Sequence, residues 1–266
     1  MSLTITSLQN PRVKSAVELR RRRGRDQQDR VLIDGVREIR RALQAGVEFV
    51  EIFACPEQCD ELGQRLLDDC DRQSIERVKV TAAVFEKLAF GDRAEGVIAV
   101  ARIRPKSLAD IRLPPSALVV VLEGLEKPGN VGAVLRTADA AGVTAVVVAD
   151  GGTDLYNPNL IRASLGAVFT VPVCAVTSDD ALAWLRGHGL RIFAARVDAA
   201  VDYAAVSYRG PCALVLGSEA WGLSKAWQGD AITAIRLPML GVVDSLNVST
   251  TAAVLCYEAV RQRRSN

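Results

Sequence analysis

Ala117-Leu118-Val119-Val120-Val121-Leu122 is a continuous apolar run rich in β-branched residues. It leads into Glu123-Gly124-Leu125-Glu126-Lys127-Pro128-Gly129-Asn130-Val131-Gly132-Ala133-Val134-Leu135-Arg136-Thr137. A strand apolar at every position is buried on both faces, as in a parallel sheet covered by helices. The glycines that follow allow a tight turn, and 129–141 reads as a helix. The cycle recurs downstream. Residues 145–149, 169–173, 190–195, 212–216 and 232–237 read as strands. Residues 158–166, 179–187 and 221–227 read as helices, and 247–263 as a long closing helix. This alternation predicts a doubly wound α/β domain over 118–266.

The first half alternates too, in shorter units. Asn10-Pro11 opens a helix over 10–22. Strands are predicted at 31–33, 49–54, 78–80 and 97–101, and helices at 35–45, 57–71 and 81–88. Residues 103–115 break the pattern with Pro105, Pro114 and Pro115. They predict a linker, placed at 105–117, between a smaller domain of residues 1–104 and the second domain.

The chain has 266 residues, 49% hydrophobic and 24% charged, which is ample for a core. No run of 18 apolar residues predicts a membrane span, and the polar, basic start predicts no secretory signal. A cytoplasmic location follows. The six cysteines (Cys55, Cys59, Cys70, Cys174, Cys212 and Cys256) are scattered as free thiols would be. The spacing of Cys55, Cys59 and Cys70 is poor for zinc, and the only histidine, His188, is distant, so no metal is expected. Net charge is +2 and unevenly spread: residues 1–41 carry eleven Lys and Arg against five Asp and Glu. Arg20, Arg21, Arg22, Arg23 and Arg25 form a cluster suited to phosphates, though a solvated charged loop would look the same. With 5% aromatics, shape and phosphate contacts are favoured over stacking in any RNA complex.

Ligands of open parallel sheets bind in loops at the carboxyl ends of the strands. Besides the loop after Leu122, two more are polar and glycine-bearing: Gly217-Ser218-Glu219-Ala220-Trp221-Gly222-Leu223-Ser224, and Pro238-Met239-Leu240-Gly241-Val242-Val243-Asp244-Ser245-Leu246-Asn247-Val248-Ser249-Thr250. Asn130 reads as a cap of its helix, and Ser245, Asn247 and Ser249 as caps of the last one. Each loop alone is equally an ordinary turn. Neither a G-x-G-x-x-G fingerprint nor a P-loop is present, and there is no G-x-S-x-G elbow.

In this order, the three loops resemble the motifs of the SpoU (TrmH-like) branch of the SPOUT RNA methyltransferases. The first motif is seen in 130–137, the second in 216–223 and the third from Leu237-Pro238-Met239 to Ser249. Ile161-Arg162-Ala163-Ser164-Leu165-Gly166-Ala167 also fits. The resemblance covers 118–262. It implies a C-terminal trefoil knot, a rare exception to unknotted topology, and an obligate homodimer whose active site draws on both subunits. It also implies S-adenosylmethionine bound by Leu216, Gly217, Glu219, Leu237, Met239 and Leu246. Arg136 and Asn130 would be catalytic, with Ser245 and Asn247 holding the arginine or the ribose, and Arg162 would join the arginine cluster on RNA. A guanidinium stays protonated, so Arg136 suits phosphate binding and oxyanion stabilisation; a transiently deprotonated arginine has been entertained for the family. Val31-Leu32-Ile33-Asp34-Gly35 and Gly46-Val47-Glu48-Phe49-Val50 resemble the family's ribosomal-protein-like RNA-binding domain. The expected activity is ribose 2′-O-methylation, with large-subunit ribosomal RNA favoured. A tRNA 2′-O-methyltransferase and a non-catalytic RNA-binding protein are the alternatives.

Overall fold

The computed structural model describes residues 4–90 and 95–264. They form two compact units. One holds the residues up to Arg104 together with Tyr156–Thr170; the other holds Pro105–Leu155 and the residues from Val171 onward.

The first unit runs β1 (Thr4–Ile5), α1 (Pro11–Glu18), α2 (Arg22–Gln28), β2 (Arg30–Asp34), α3 (Val36–Gln44), β3 (Phe49–Ala54), α4 (Glu61–Arg72), β4 (Glu76–Val80), α5 (Ala82–Leu88) and β5 (Val97–Arg102). Its sheet is mixed, in the order β1-β4-β3-β5-β2, with β5 antiparallel to both neighbours. Asn10 opens α1, its side chain accepting from the Arg12 N–H at 2.9 Å. The expected single helix over 10–22 is two helices. A Cβ at Gly24 would lie 2.1 Å from the Glu18 carbonyl oxygen, so α2 packs against the end of α1 where only glycine fits. Leu19, Phe53, Phe85, Leu88 and Ile98 fill the core.

The second unit begins with residues 105–117, the expected linker. They are folded: a capping box between Ser107 and Asp110 closes a short 3-10 turn at Leu108–Asp110, and Ile111 is buried in this unit's core. Then come β6 (Leu118–Glu123), α6 (Pro128–Ala141) and β7 (Ala145–Ala149). The chain returns to the first unit for α7 (Pro158–Ala163) and α8 (Ala167–Thr170). It continues in the second with β8 (Val173–Val176), α9 (Ser178–Gly187), β9 (Arg191–Ala195), β10 (Val201–Asp202), β11 (Cys212–Leu216), β12 (Ile232–Arg236) and α10 (Val248–Arg264). The seven strands are all parallel, in the order β10-β12-β9-β11-β6-β7-β8. Every residue of β6, β7 and β11 is buried, as the apolar runs require. The chain proceeds from β6 to the β8 edge, then restarts on the other side of β6. The crevice at such a reversal is where α/β sheets hold ligands.

Two other expectations are corrected. The strand expected over 169–173 is the helix α8 followed by β8. Gly166 takes φ +83°, Phe169 N–H bonds back to its carbonyl at 3.1 Å, and Pro172 has no N–H to give a ladder. The helix expected over 221–227 is a turn at Gly222 (φ +65°) and a 3-10 turn at Lys225–Trp227. All six cysteines are free thiols, and five of them are buried. No helix among the described residues is long and apolar enough to cross a membrane.

Candidate active site

Three loops leave the carboxyl ends of β6, β11 and β12. The first starts α6 with Lys127 as the N-cap residue and Pro128 in the first turn. The helix therefore begins earlier than expected, and Asn130 lies inside its first turn instead of capping it. That placement leaves the Asn130 amide free to donate to Glu219 Oε1 at 3.2 Å. The third loop ends where Asn247 Oδ1 accepts from the Ser249 N–H at 2.9 Å and from its hydroxyl at 2.6 Å. This is the capping role expected of Asn247. Its Nδ2 remains available, donating to Glu219 Oε1 at 2.5 Å and to Asn130 Oδ1 at 3.4 Å.

Glu219 is the meeting point of the three loops. Lys127 Nζ lies 3.4 Å from its Oε2. Desolvation pushes the Glu219 carboxyl pKa upward, but Lys127, the Val248 N–H and the Asn130 amide outweigh it and hold the pKa below the usual range. The loop that carries Glu219 is closed on itself. The Gly222 N–H donates to the Ser218 carbonyl at 2.9 Å and the Trp221 N–H to Ser218 Oγ at 3.1 Å. A Cβ on Gly217 would sit 2.2 Å from the Gly222 carbonyl, so no other residue allows that closure.

Beside this cluster is a cavity of about 540 Å³, within the range of small-molecule sites. Leu216, Gly217, Glu219, Leu237, Met239 and Leu246, the residues expected around the cofactor, all line it, and so does Ser245. The lining mixes apolar residues, among them Leu223 and Val248, with the polar Ser218, Ser245 and Thr251. Among the charged groups, Arg196 is engaged by Asp198 at 2.7 and 2.9 Å and Glu219 by Lys127, which leaves Asp244 as the carboxylate with no ion-pair partner among the described residues. Apolar side chains beside hydroxyls and a carboxylate fit a nucleoside carrying a sulfonium and an amino-acid tail.

The remaining expected residues are placed differently. Arg136 is exposed on α6, and among the described residues its guanidinium has no hydrogen-bond or ion-pair partner. Arg21, Arg22 and Arg23 are exposed. Arg25 is not; it is 2% exposed, with Nη1 donating to the Leu19 carbonyl at 2.7 Å. Arg20 donates to the carbonyls of Lys87 and Ala89, and Arg162 to that of Phe90 at 3.0 Å. For Arg20, Arg25 and Arg162, holding the first unit together replaces the expected free phosphate-binding face. Among the described residues no group of three or more His, Cys, Asp or Glu could hold a metal ion.

Sequence reasoning singled out neither Lys127 nor Glu123. Glu123 is 5% exposed and accepts from Ser224 N–H at 2.7 Å and from the Trp227 indole at 2.8 Å. A glutamate ending an apolar strand reads as the first solvated residue of a loop; only the later serines and tryptophan, far along the chain, betray its burial.

Comparison with known proteins agrees with this geometry. The model of the SpoU rRNA methylase family matches residues 117–257, and that of the MRM3-like substrate binding domain matches residues 10–99. A solved structure described as an RNA 2′-O ribose methyltransferase is 44% identical, with a TM-score of 0.87 over 98% of this chain and 99% of its own. The AdoMet-bound rRNA methyltransferase of Sinorhizobium meliloti is 26% identical, with a TM-score of 0.88 over 98% of both chains. The 23S rRNA (guanosine-2′-O-)-methyltransferase of Bordetella pertussis is 34% identical over 80% of this chain and 89% of its own. The chain belongs to the SpoU rRNA methylase family.

Proposed function

We infer that this protein methylates a ribose 2′-hydroxyl of large-subunit ribosomal RNA, in the cytoplasm, using S-adenosylmethionine and acting as a homodimer. The observation that carries this reading is the convergence of Asn130, Glu219 and Asn247 at one end of a cavity whose walls suit the cofactor. The cofactor supplies an activated methyl group on its sulfonium. Leu216, Leu237, Met239 and Leu246 would give it apolar walls, and the Asp244 carboxylate would balance its positive charge. Asn130 and Asn247 are fixed by Glu219 at the cavity's edge, where they orient the ribose. Arg136 carries a permanent charge; it binds the neighbouring phosphate and stabilises the charge that builds on the ribose oxygen as the new O–methyl bond forms, the hydroxyl proton passing to solvent water.

Support for the homodimer comes from α6. Arg136 lies six residues beyond Asn130, about 9 Å along the axis and about 120° around it. It therefore leaves a different face of the helix from the residue that meets Glu219. A second copy, related by twofold symmetry, would carry that guanidinium to the neighbouring site. Leu240 and Val242, 98% and 100% exposed, add apolar surface that such a copy would cover. The threaded C-terminal segment implied by the family belongs to the same reading, as does an RNA-binding role for residues 1–104 ahead of a catalytic domain over 118–266.

Methyl transfer from labelled S-adenosylmethionine to separate pools of unmodified ribosomal RNA and tRNA, followed by nucleoside mapping, tests the reading. A 2′-O-methyl nucleoside in 23S-type RNA is expected. Label confined to tRNA would replace the substrate, and absence of both label and cofactor binding would leave a non-catalytic RNA-binding protein.

A further inference from the structure

β6 ends on a carboxylate that the reaction does not use directly. Leu122 pairs with Leu216, so Glu123 stands one register step further on, beside Gly217, where the cavity loop leaves β11. A carboxylate 5% exposed needs its oxygens occupied. Oε1 accepts from Ser178 Oγ at 2.7 Å, Ser224 Oγ at 2.7 Å and Trp227 Nε1 at 2.8 Å. Oε2 accepts from the Ser224 N–H at 2.7 Å. Ser224 thus supplies two of the donors, and it is the residue on which the cavity loop ends.

The consequence is mechanical. Residues 217–222 form a closed turn between two fixed ends. Its incoming end is the ladder of β11. Its outgoing end is Ser224, held by a side chain from the neighbouring strand. Without that hold, the closed turn could swing about Gly217, taking with it Gly217, Glu219 and Trp221, which all line the cavity. Glu123 itself does not line the cavity.

We propose that Glu123 is a positioning residue for cofactor binding, latching the loop of residues 217–224 in its cofactor-accepting shape through Ser224. The proposal rests on the reading of the cavity as the S-adenosylmethionine site. Ser178 provides the control. Its hydroxyl meets the same oxygen at the same distance as that of Ser224, but it belongs to α9, which does not line the cavity. A carboxylate that merely anchors the core would give both serines the same weight.

The test is calorimetric binding of S-adenosylmethionine to the full-length wild-type, Ser224→Ala, Ser178→Ala and Glu123→Gln proteins, with melting curves of each without ligand. Ser224→Ala and Glu123→Gln are expected to weaken binding by about tenfold, the effect of one lost hydrogen bond to a charged group. Ser178→Ala should stay within about twofold, although it too takes a hydroxyl from that carboxylate and melts lower than wild type. Ser224→Ala should melt lower still, because Ser224 Oγ also caps the Lys225–Trp227 turn, accepting from the Ala226 N–H at 3.3 Å. Single-turnover methylation at saturating cofactor should change little in Ser224→Ala, which places the effect in KM. Equal losses of affinity in the two serine variants, or none in either, would overturn the latch and leave the cofactor site intact. A wild-type protein that binds no S-adenosylmethionine would overturn the cavity assignment and the latch together.

Discussion

Asn247 Nδ2 donates to Glu219 Oε1 at 2.5 Å, tying the cap of the last helix to the loop after β11. The Asn130 amide reaches the same oxygen, so one carboxylate fixes two amides from distant parts of the chain. Glu219→Ala strands both. Single-turnover methylation should fall about 10- to 100-fold, the effect of removing a charged acceptor from shared donors. Glu219→Gln should recover little, because its amide keeps one oxygen for four donors, Asn130, Asn247, Lys127 and the Val248 N–H. A Glu219→Ala protein with wild-type cofactor affinity and wild-type rate would show that the cluster is ornamental.

The arginine-rich stretch divides into outward and inward members. Arg21, Arg22 and Arg23 are exposed, while Arg25 is buried against the Leu19 carbonyl. Replacing the three exposed arginines with alanine should weaken RNA binding. On single-stranded RNA it should also flatten the dependence on log salt concentration, by about 0.7 for each phosphate no longer neutralised. Arg25→Ala should instead lower the melting temperature by removing a buried hydrogen bond, with the salt slope unchanged. Binding titrations at several ionic strengths read the first effect and thermal melts the second. Equal salt slopes for the triple variant and the wild type would remove this helix from the RNA-binding surface.

Much of this was legible in the sequence, and the exceptions share a cause. The buried strands of the second unit announce themselves because parallel strands covered on both faces carry no polar residue. The loops at the carboxyl ends of those strands mark where a ligand binds, and the resemblance to the SpoU motifs singled out the lining residues within them. What pattern reading cannot weigh is tertiary competition for a polar side chain. Arg20 and Arg25 sit in a run that looks solvated, yet backbone carbonyls left over at Leu19, Lys87 and Ala89 claim their guanidinium groups. Phe169 looks like a strand residue, yet the positive φ of Gly166 and the missing donor of Pro172 settle the matter against local propensity. Asn130 looks like a cap, and a proline two residues earlier takes the helix start from it.

Asp34 closes β2, and burial pushes its pKa up to about 6. Glu95 and Glu38 add to the rise, while the Phe90 N–H, donated at 2.5 Å, and the charge of Arg162 oppose it. The unfolded chain ionises this group near its ordinary value, about 3.9. Its contribution to stability is therefore whole below about pH 4 and is lost as pH rises through about 6. At neutral pH the loss is at most about 3 kcal/mol, because the folded pKa stands roughly two above the unfolded one and each whole pKa step is worth about 1.36 kcal/mol. Asp34→Asn keeps an acceptor for Phe90 and should raise the melting temperature at pH 7.5 but not at pH 4. A variant that melts lower than wild type at pH 7.5 would show that the ionised Asp34 is stabilising, with Arg162 outweighing burial.

The position of Arg136 on α6 makes the proposed homodimer testable without a structure of it. Arg136 is exposed and without a partner among the described residues, and it does not line the cavity. Arg136→Ala should bind S-adenosylmethionine like wild type yet methylate about 10²–10³-fold more slowly, as removal of an electrostatic group from a transition state does. Glu219→Ala should be impaired at the cavity. Now mix the two. If Arg136 serves the cavity of its own chain, each subunit of a mixed dimer carries one lesion in its own site, and both sites stay defective. If it serves the partner's cavity, the mixed dimer concentrates both lesions in one site and leaves the other whole. Random reassortment then makes half of the dimers mixed, each with one working site, and the pool recovers about a quarter of wild-type activity. Co-expression with two different affinity tags isolates the mixed species and should double that figure. Recovery well above the sum of the single variants assigns Arg136 to the neighbouring site; recovery no greater than that sum keeps it in its own.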